Sequence, residues 1–232
     1  MKIGILSDAH GNLIGLKKCI NFLHDQNVEQ LFYLGDMVGY LPDANQVIEV
    51  VKQNCDLVLK GNHEAMLLGE LPFSSEQDNV YQLVRTRNDI TAENIDYIRT
   101  LESRKEYMID NVNILLVHAS PIDTLTGYIY PDTEIAFNDI EAYDAVFMGH
   151  THRPFTKKIV NTCVINVGSC GMPRDYGKYA SCAIYDTQLC EANIFRIIME
   201  YDEIVDKYAT FAHSSVLDLF KRTTDNLIGT IV

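Results

Sequence analysis

Five short stretches of the chain join an apolar run to residue types that bind metal ions. Asp, His or Asn follows each run within a few residues, in IGILSDAHGN, LFYLGDMVGY, LVLKGNHEA, ILLVHAS and AVFMGHTHRP. Short apolar runs that stop at polar residues are typical of buried strands. Five strands that deliver such side chains to one sheet edge would build a single site. We interpret that site as a two-metal centre for the hydrolysis of a phosphoester.

The candidate ligands at these junctions are Asp8, His10, Asp36, Asn62, His118, His150 and His152. Most have an ordinary explanation when taken alone: Asn62 could cap a helix, and Gly-Asp after a strand is common in turns. The pair in GHTH is more informative, because two imidazoles two residues apart on an extended turn point the same way. The specific signal is the whole set, since only His24 and His213 among the histidines fall elsewhere, in helical stretches where we expect them to be solvated.

The first part of the chain has an α/β pattern. Strands are predicted at 3–7, 31–34, 57–59, 114–117 and 145–148. Apolar spacings of three and four predict a helix from Asn12 to about Asn27, and Pro42-Asp43 begins a second one. Alternation of strand and helix indicates parallel strands. Another helix is predicted between 133 and 142, and Thr91 can cap one more.

After Pro154 the pattern changes to consecutive strands with short turns, which indicates antiparallel pairing. The predicted fold class is therefore α/β (α+β), with two mixed β-sheets packed face to face and flanked by helices, a four-layer αββα sandwich. No linker or repeat divides the sequence, so we expect one domain over 1–232. It would carry a helical insert at about 66–110, as a lid or a dimer surface, and a helical tail at about 201–225.

The composition limits the classes of molecule that we expect the protein to bind. The net charge is −13 and 47% of residues are hydrophobic, which argues for a folded core and against binding a nucleic-acid polymer. No run approaches the roughly 20 apolar residues of a membrane span. Met1-Lys2 leads directly into a strand, so we expect no signal peptide, and six scattered cysteines favour reduced thiols in a cytoplasmic protein.

The order of the motifs resembles the calcineurin-like metallophosphoesterase family. DAH, GDMVGY, GNHE, VHAS and GHTH follow that family's D-x-H, G-D, G-N-H-[DE], H and G-H-x-H over residues 3 to about 186. The resemblance implies one metal ion on Asp8, His10 and His152, and a second on Asn62, His118 and His150. It further implies that Asp36 bridges both ions and that His63 is a catalytic acid rather than a ligand.

The implied activity is cleavage of a small-molecule phosphodiester or phosphomonoester by in-line attack of a hydroxide that bridges the metals. Imidazole and oxygen ligands without thiolate suit Mn, Fe, Zn, Co or Ni. Two divalent cations bring +4, whereas Asp8, Asp36 and the hydroxide bring −3. The residual charge of +1 favours an anionic phosphoryl group.

Two features of the sequence indicate which subgroup of this family it resembles. GDMVGY lacks the Asp-Arg-Gly of Ser/Thr protein phosphatases, and Lys60 replaces the Arg that they carry before GNHE. NVGSCGMPRD at 166–175 is similar to the NxGSxGxPRD loop of small prokaryotic phosphodiesterases in the family. Within this loop Arg174 is a candidate to bind substrate phosphate, as is Asn62 of the metal set. The alternative is that Arg174 is a surface residue paired with Asp175 or another carboxylate.

Two other functions stay open. A phosphoaspartyl phosphatase would use Asp8 as nucleophile. That mechanism requires a second Asp, two residues later, as the acid, and the chain has His10 there. A non-catalytic scaffold or regulatory protein would bind metal in the same fold, although here every ligand position is filled. The acidic helical tail is either a homodimer surface or a solvated cover.

Overall fold

The computed structural model describes residues 1–224 and 226–232, and eleven strands within them form two mixed β-sheets. In chain order the strands are β1 Lys2–Leu6, β2 Gln30–Tyr33, β3 Leu57–Val58, β4 Arg104–Ile109, β5 Val112–Val117, β6 Ala145–Met148, β7 Phe155–Ile159, β8 Thr162–Asn166, β9 Tyr179–Asp186, β10 Glu191–Ile198 and β11 Thr230–Ile231. The helices are α1 Leu13–Asp25, α2 Ala44–Asn54, α3 Asn62–Leu68, α4 Ser75–Tyr81, α5 Leu83–Asp89, α6 Ala92–Arg99, α7 Tyr201–Tyr208 and α8 Ser214–Leu219. The predicted α/β class with two mixed sheets is confirmed.

The strands of each sheet come from both halves of the chain. The first sheet has the order β11-β10-β9-β1-β2-β3 and the second β4-β5-β6-β8-β7. The strands β1, β2 and β3 are parallel, as predicted. The strands after Pro154 do not continue side by side as expected: β7 and β8 join the second sheet, whereas β9 and β10 join the first, beside β1. Residues 167–178 connect the two sheets. They include most of the NVGSCGMPRD stretch at 166–175, called the glycine-rich loop below.

Side-chain alternation along β1 shows how the two sheets pack. Ile3 and Ile5 are buried in one cluster with Ile114 and Phe147 of the second sheet. Leu6 points to the opposite face and packs against the helices. This alternation with a period of two places one apolar layer between the sheets and another beneath the helices. Both halves of the chain share the inner layer, which is consistent with the single domain that we propose.

The outer faces of the two sheets are covered differently. Apolar residues of the helices from α1 to α8 pack on the first sheet, whereas the outer face of the second is covered mainly by residues 119–144. The helix predicted between 133 and 142 is reduced there to a 3₁₀ turn, Phe137–Asp139. Ile135 and Phe137 both pack on that sheet face, and residues two apart cannot share one face of an α-helix.

The segment 66–110 is helical only in its first part. Three further helices follow α3, and the Thr91 hydroxyl accepts the N–H of Asn94 at 3.2 Å, so the predicted cap is present. Residues 104–109 instead form β4, an edge strand antiparallel to β5. Its mostly exposed residues, such as Arg104 and Glu106, give no apolar alternation from which a strand could be predicted.

The tail contains α7 and α8, with β11 beyond them parallel to β10. The predicted helical tail at 201–225 therefore ends earlier, at Leu219, and Asp225 lies outside the described residues. Among the residues that the structure describes, no helix is both long enough and apolar enough to cross a membrane.

A buried ion pair fastens the end of the glycine-rich loop to the first sheet. Arg196 on β10 is fully buried and donates two hydrogen bonds to the Asp175 carboxylate, at 2.6 and 2.8 Å. A third bond of 3.0 Å runs to the carbonyl oxygen of Tyr179. A bidentate pair of this kind is geometrically specific, and each charge depends on the other because water is excluded.

We expect Arg196→Met to lower the free energy of unfolding by about 3–5 kcal/mol in urea titrations, because it leaves the Asp175 carboxylate buried and unpaired. Combining it with Asp175→Asn should recover part of the loss, since no unpaired charge would remain. Lys105→Met removes an exposed ion pair between Lys105 on β4 and Glu102 just before that strand, so it is the matched control and should cause no measurable change. A single-variant loss below about 1 kcal/mol would show that the pair does not hold the loop.

Candidate metal centre

The predicted ligands converge on one edge of the molecule. Asp8 and His10 follow β1, Asp36 follows β2 and His118 follows β5; the remaining candidates, Asn62, His63, His150 and His152, follow β3 or β6. The carboxyl ends of parallel strands meet at the same edge of a sheet, which is where α/β proteins bind ligands. Here strands of both sheets contribute. All of these side chains are buried, whereas His24 and His213 are exposed on the helical side as expected.

The backbone at these strand ends adopts unusual conformations. The φ angle is positive at Asp8, His10, Asp36, His150 and His152, between 50° and 64°. Residues other than glycine seldom adopt this left-handed conformation, although Asp and His tolerate it better than most. Such strain persists only where surrounding contacts enforce it, and it is concentrated at functional sites.

The loops after β2 and β3 approach so closely that only glycine fits between them. Gly35 has a φ of +103°, and a Cβ atom there would lie 2.6 Å from the Gly61 nitrogen and 2.9 Å from His118 Nδ1. The GD and GN dipeptides of the motifs thus supply both the turn and the space in which Asp36 and Asn62 meet.

Three overlapping groups of ligand atoms lie within 4.8 Å of one another: Asp8, His10 and His152; His10, Asp36 and His63; Asp36, His118 and His150. Asp36 Oδ2 lies 3.5 Å from His10 Nε2 and 3.4 Å from His118 Nε2. Asn62 Oδ1 lies 3.0 Å from His118 Nε2. The Asp36 carboxylate therefore stands between two groups of ligands, and the arrangement can hold two cations. The same geometry brings His63 within reach of His10 and Asp36.

Backbone carbonyl groups fix the orientation of three of the imidazoles. The Nδ1 atoms of His10, His118 and His152 lie 3.0, 2.8 and 2.7 Å from the carbonyl oxygens of Val38, Leu34 and Met172. A carbonyl oxygen can only accept, so each Nδ1 carries a proton, and Nε2 directs a lone pair inward whenever the ring carries no second proton. This is the usual support of a metal-bound histidine.

Several buried nitrogen atoms lack the partners that burial normally requires. His150 Nε2 is buried and has no hydrogen-bond partner among the described residues. His10 Nε2 and His152 Nε2 face each other at 3.0 Å. With the single proton of each neutral ring on Nδ1, the two Nε2 atoms would face each other with lone pairs and no proton between them, and an unsatisfied buried nitrogen costs about 1–3 kcal/mol. A cation would satisfy these nitrogens, and the oxygen and imidazole ligands suit divalent transition metals.

The charge of each buried group at this site depends on burial and on its charged neighbours. Burial lowers the pKa of His150 to about 3, so that imidazole is neutral at pH 7. Burial opposes ionisation of Asp8 as well, but the neighbouring His152 lowers the pKa of its carboxyl to about 2. At His118 burial is outweighed by the Asp36 carboxylate, which raises the pKa to about 9. Two buried carboxylates thus create a negative potential that attracts positive charge to this position.

Glu64 supports the site although the sequence analysis gave it no role. Its carboxylate accepts the backbone N–H groups of Asp36, Met37, Val38 and Gly61 at 2.7 to 3.1 Å. It therefore fixes the turn that carries the Asp36 carboxylate. Burial is the main reason that the pKa of Glu64 rises to about 7. Glu64 is the last residue of the GNHE motif, but its position in the sequence does not reveal that its carboxylate binds backbone N–H groups.

His63 lies beside the ligands under an aromatic cover. The backbone N–H of His63 donates to Asp36 Oδ1 at 2.8 Å. The His63 ring stacks on Tyr40, with the ring centroids 4.9 Å apart. His63 Nδ1 is buried without a partner in the described part of the chain. Burial lowers the pKa of His63 to about 4, so the ring is neutral at pH 7. A bound phosphoryl anion would raise this pKa.

Arg174 points toward the site rather than pairing with Asp175. Its side-chain Nη2 donates to the Tyr40 hydroxyl at 3.1 Å. Its backbone N–H donates to the His152 carbonyl oxygen at 3.1 Å. Asp175 is engaged by the buried Arg196 instead. Lys60, the cation next to GNHE, pairs with Glu70 at 2.7 Å.

Comparison with known proteins identifies the class to which this fold and site belong. Residues 1–189 match the family model of the calcineurin-like phosphoesterase superfamily domain. The chain is 30% identical over 221 residues to uncharacterized protein MJ0912 of Methanocaldococcus jannaschii, which covers 86% of this chain and 88% of that protein. It is 29% identical over 172 residues to phosphodiesterase MJ0936 of the same organism, covering 73% and 84%.

Among solved structures, a metallophosphoesterase from Sphaerobacter thermophilus superposes with a TM-score of 0.78 and is 25% identical, covering 95% of this chain and 98% of that one. The fold class is therefore that of the metallophosphoesterases. The chain belongs to the calcineurin-like phosphoesterase superfamily, as the order of its motifs suggested.

Proposed function

We propose that this chain hydrolyses a phosphoester at a centre of two divalent transition-metal ions. The observation that carries the proposal is the position of the Asp36 carboxylate, within 3.5 Å of Nε2 atoms from two ligand groups. When bound, two such ions supply Lewis-acid stabilisation of the phosphoryl group and lower the pKa of water, which provides a nucleophile at neutral pH. Asp8, His10 and His152 would hold one ion, and Asn62, His118 and His150 the other, with Asp36 shared.

The chain's own groups would complete the reaction. The His63 ring would protonate the leaving oxygen, since it lies beside the ligands with a ring nitrogen that has no partner in the described residues. Arg174 would donate to the non-bridging phosphoryl oxygens, because within residues 1–224 and 226–232 its guanidinium is hydrogen-bonded only to the Tyr40 hydroxyl and can bind two oxygens at once. The aromatic rings around His63 would exclude water from the proton transfer.

Asp36→Asn tests the centre itself. It removes negative charge shared by both ligand groups, so we expect loss of metal and a fall of several orders of magnitude in the hydrolysis of bis-p-nitrophenyl phosphate. Metal content and turnover are measured on the same metal-loaded preparation, before and after chelation. His24→Ala, on the exposed side of α1, is the control and should keep two metals per chain. Near-normal turnover with two metals in Asp36→Asn would refute the assignment.

His63→Ala should keep both metals yet slow the reaction by about 10²–10⁴-fold for esters that need a protonated leaving group. For p-nitrophenyl esters the loss should be much smaller, because that leaving group departs without a proton. The measurement is kcat on paired p-nitrophenyl and alkyl esters, with metal content determined alongside. Equal losses on both esters would contradict the acid role, and loss of a metal would make His63 a ligand.

Arg174→Ala should keep the fold and both metals but lower kcat/KM by about 10- to 150-fold, the equivalent of a charged hydrogen bond. The loss should be larger for a dianionic monoester than for a monoanionic diester, because the monoester carries more charge. Arg104→Ala, at an exposed pair with Glu106 on β4, is the matched control. Unchanged kinetics on both esters would leave the phosphate held by the metals alone.

A further inference from the structure

Two tyrosines of the segment after β5 extend from the metal centre to the surface. The Tyr128 ring lies 4.4 Å from the His150 ring, and the Tyr130 ring stacks on Tyr128 with centroids 6.0 Å apart and planes at 18°. Their exposed fractions are 54% and 37%. Isolated exposed aromatic residues are ordinary, but a stacked pair that begins at a buried ligand offers ring faces to whatever enters the centre.

Two more tyrosines lie beside His63 of the same centre. Tyr40 and Tyr81 have ring centroids 5.1 Å apart, and both pack against His63. The Arg174 guanidinium donates to the Tyr40 hydroxyl at 3.1 Å. Aromatic faces therefore border the ligands at His63 as well as at His150, with a guanidinium beside Tyr40.

The outer end of the stacked pair carries polar groups. The Arg153 guanidinium lies 5.9 Å from the centroid of the Tyr130 ring. A surface cavity of about 470 Å³ is lined by Tyr130, Pro131, Asp132 and Arg153. It combines a ring face with a hydrogen-bond donor and an acceptor, and a nucleobase presents the complementary features: a π face and polar edges.

We propose that Tyr128 and Tyr130 bind the nucleoside part of the substrate, so that the ester cleaved at this centre is a nucleoside phosphoester. The inference rests on the proposed phosphoester hydrolysis. With the phosphate at the ligands, the sugar lies against Tyr128 and the base stacks on Tyr130, with its edge toward Arg153 and Asp132. An aryl phosphate is too short for this path, because its ring follows the phosphate directly and stops at Tyr128.

The charge of the chain limits the size of this ligand. A net charge of −13 disfavours a long nucleic acid, whose phosphates would face a surface of the same sign. A mononucleotide or dinucleotide ester brings only one or two phosphates, which the metal centre and Arg174 can neutralise. Stacking on tyrosine is tolerant of base identity, so several bases should be accepted.

The test compares two diesters that share one leaving group: thymidine 5′-(p-nitrophenyl phosphate) and methyl p-nitrophenyl phosphate. We expect metal-loaded protein to prefer the thymidine ester. Tyr130→Ala should lower kcat/KM for that ester by about 5- to 150-fold and leave the methyl ester within about twofold, as expected for loss of one stacked base. Tyr130→Phe should retain the preference. Tyr143→Ala, on the same segment but bonded to Arg104 and Glu106, is the control and should change neither rate.

The outcomes separate this inference from the proposed function. Cleavage of both esters without preference, or equal losses in Tyr130→Ala, would overturn the nucleoside assignment and leave phosphoester hydrolysis standing. A neutral Tyr130→Ala combined with a loss in Tyr128→Ala would point to an aryl phosphate and would also overturn it. If neither ester is cleaved, the proposed hydrolysis fails. Calorimetric titration with thymidine 5′-monophosphate then decides: weaker binding to Tyr130→Ala supports the nucleoside site, and equal binding refutes it.

Discussion

The structure depends on keeping two carboxylates ionised inside the protein. Asp8 and Asp36 are almost completely buried, and the cost of such charges must be offset nearby. Backbone N–H groups of His150 and His63 donate to them, and His118 adds positive charge. The left-handed conformations at the strand ends and the unpartnered ring nitrogens are further costs at the same place. The divalent cations proposed for this site would offset all of these costs at once.

The residues of the candidate metal centre could be located from the sequence because each of them is tied to a local pattern. A buried strand is recognisable from its apolar run, and the turn after it from Gly-Asp or Gly-Asn, so Asp36 and Asn62 could be located without knowing the fold. Parallel strands then imply a common edge. One prediction that failed concerns sheet membership. β9 pairs with β1 although the paired residues Gly4 and Ile184 are 180 positions apart in the chain, and a local sequence pattern does not reveal such pairing.

Residues that act through distant contacts could not be predicted for the same reason. Glu64 looks like a first-turn acid of α3, yet it binds the turn after β2. In the sequence Arg196 looks like an ordinary polar residue of a strand. Only the fold shows that Asp175 is its hydrogen-bond partner. The tyrosines at 128 and 130 have no periodic neighbours, because the segment that carries them follows the surface of a sheet rather than forming a helix. In each case the information lies in tertiary contacts.

The two outer faces of the sandwich also differ in what they contribute. The helical face of the first sheet is densely packed, and the residues 119–144 that cover the second sheet are mostly irregular. This irregular segment places the Tyr128 ring against His150 and leaves it about half exposed. The ligands sit on rigid strand ends, whereas the proposed nucleoside contacts sit on this segment. Changes within 119–144 can therefore alter which ester binds without disturbing the metal centre, because the two sets of residues are held by different parts of the fold.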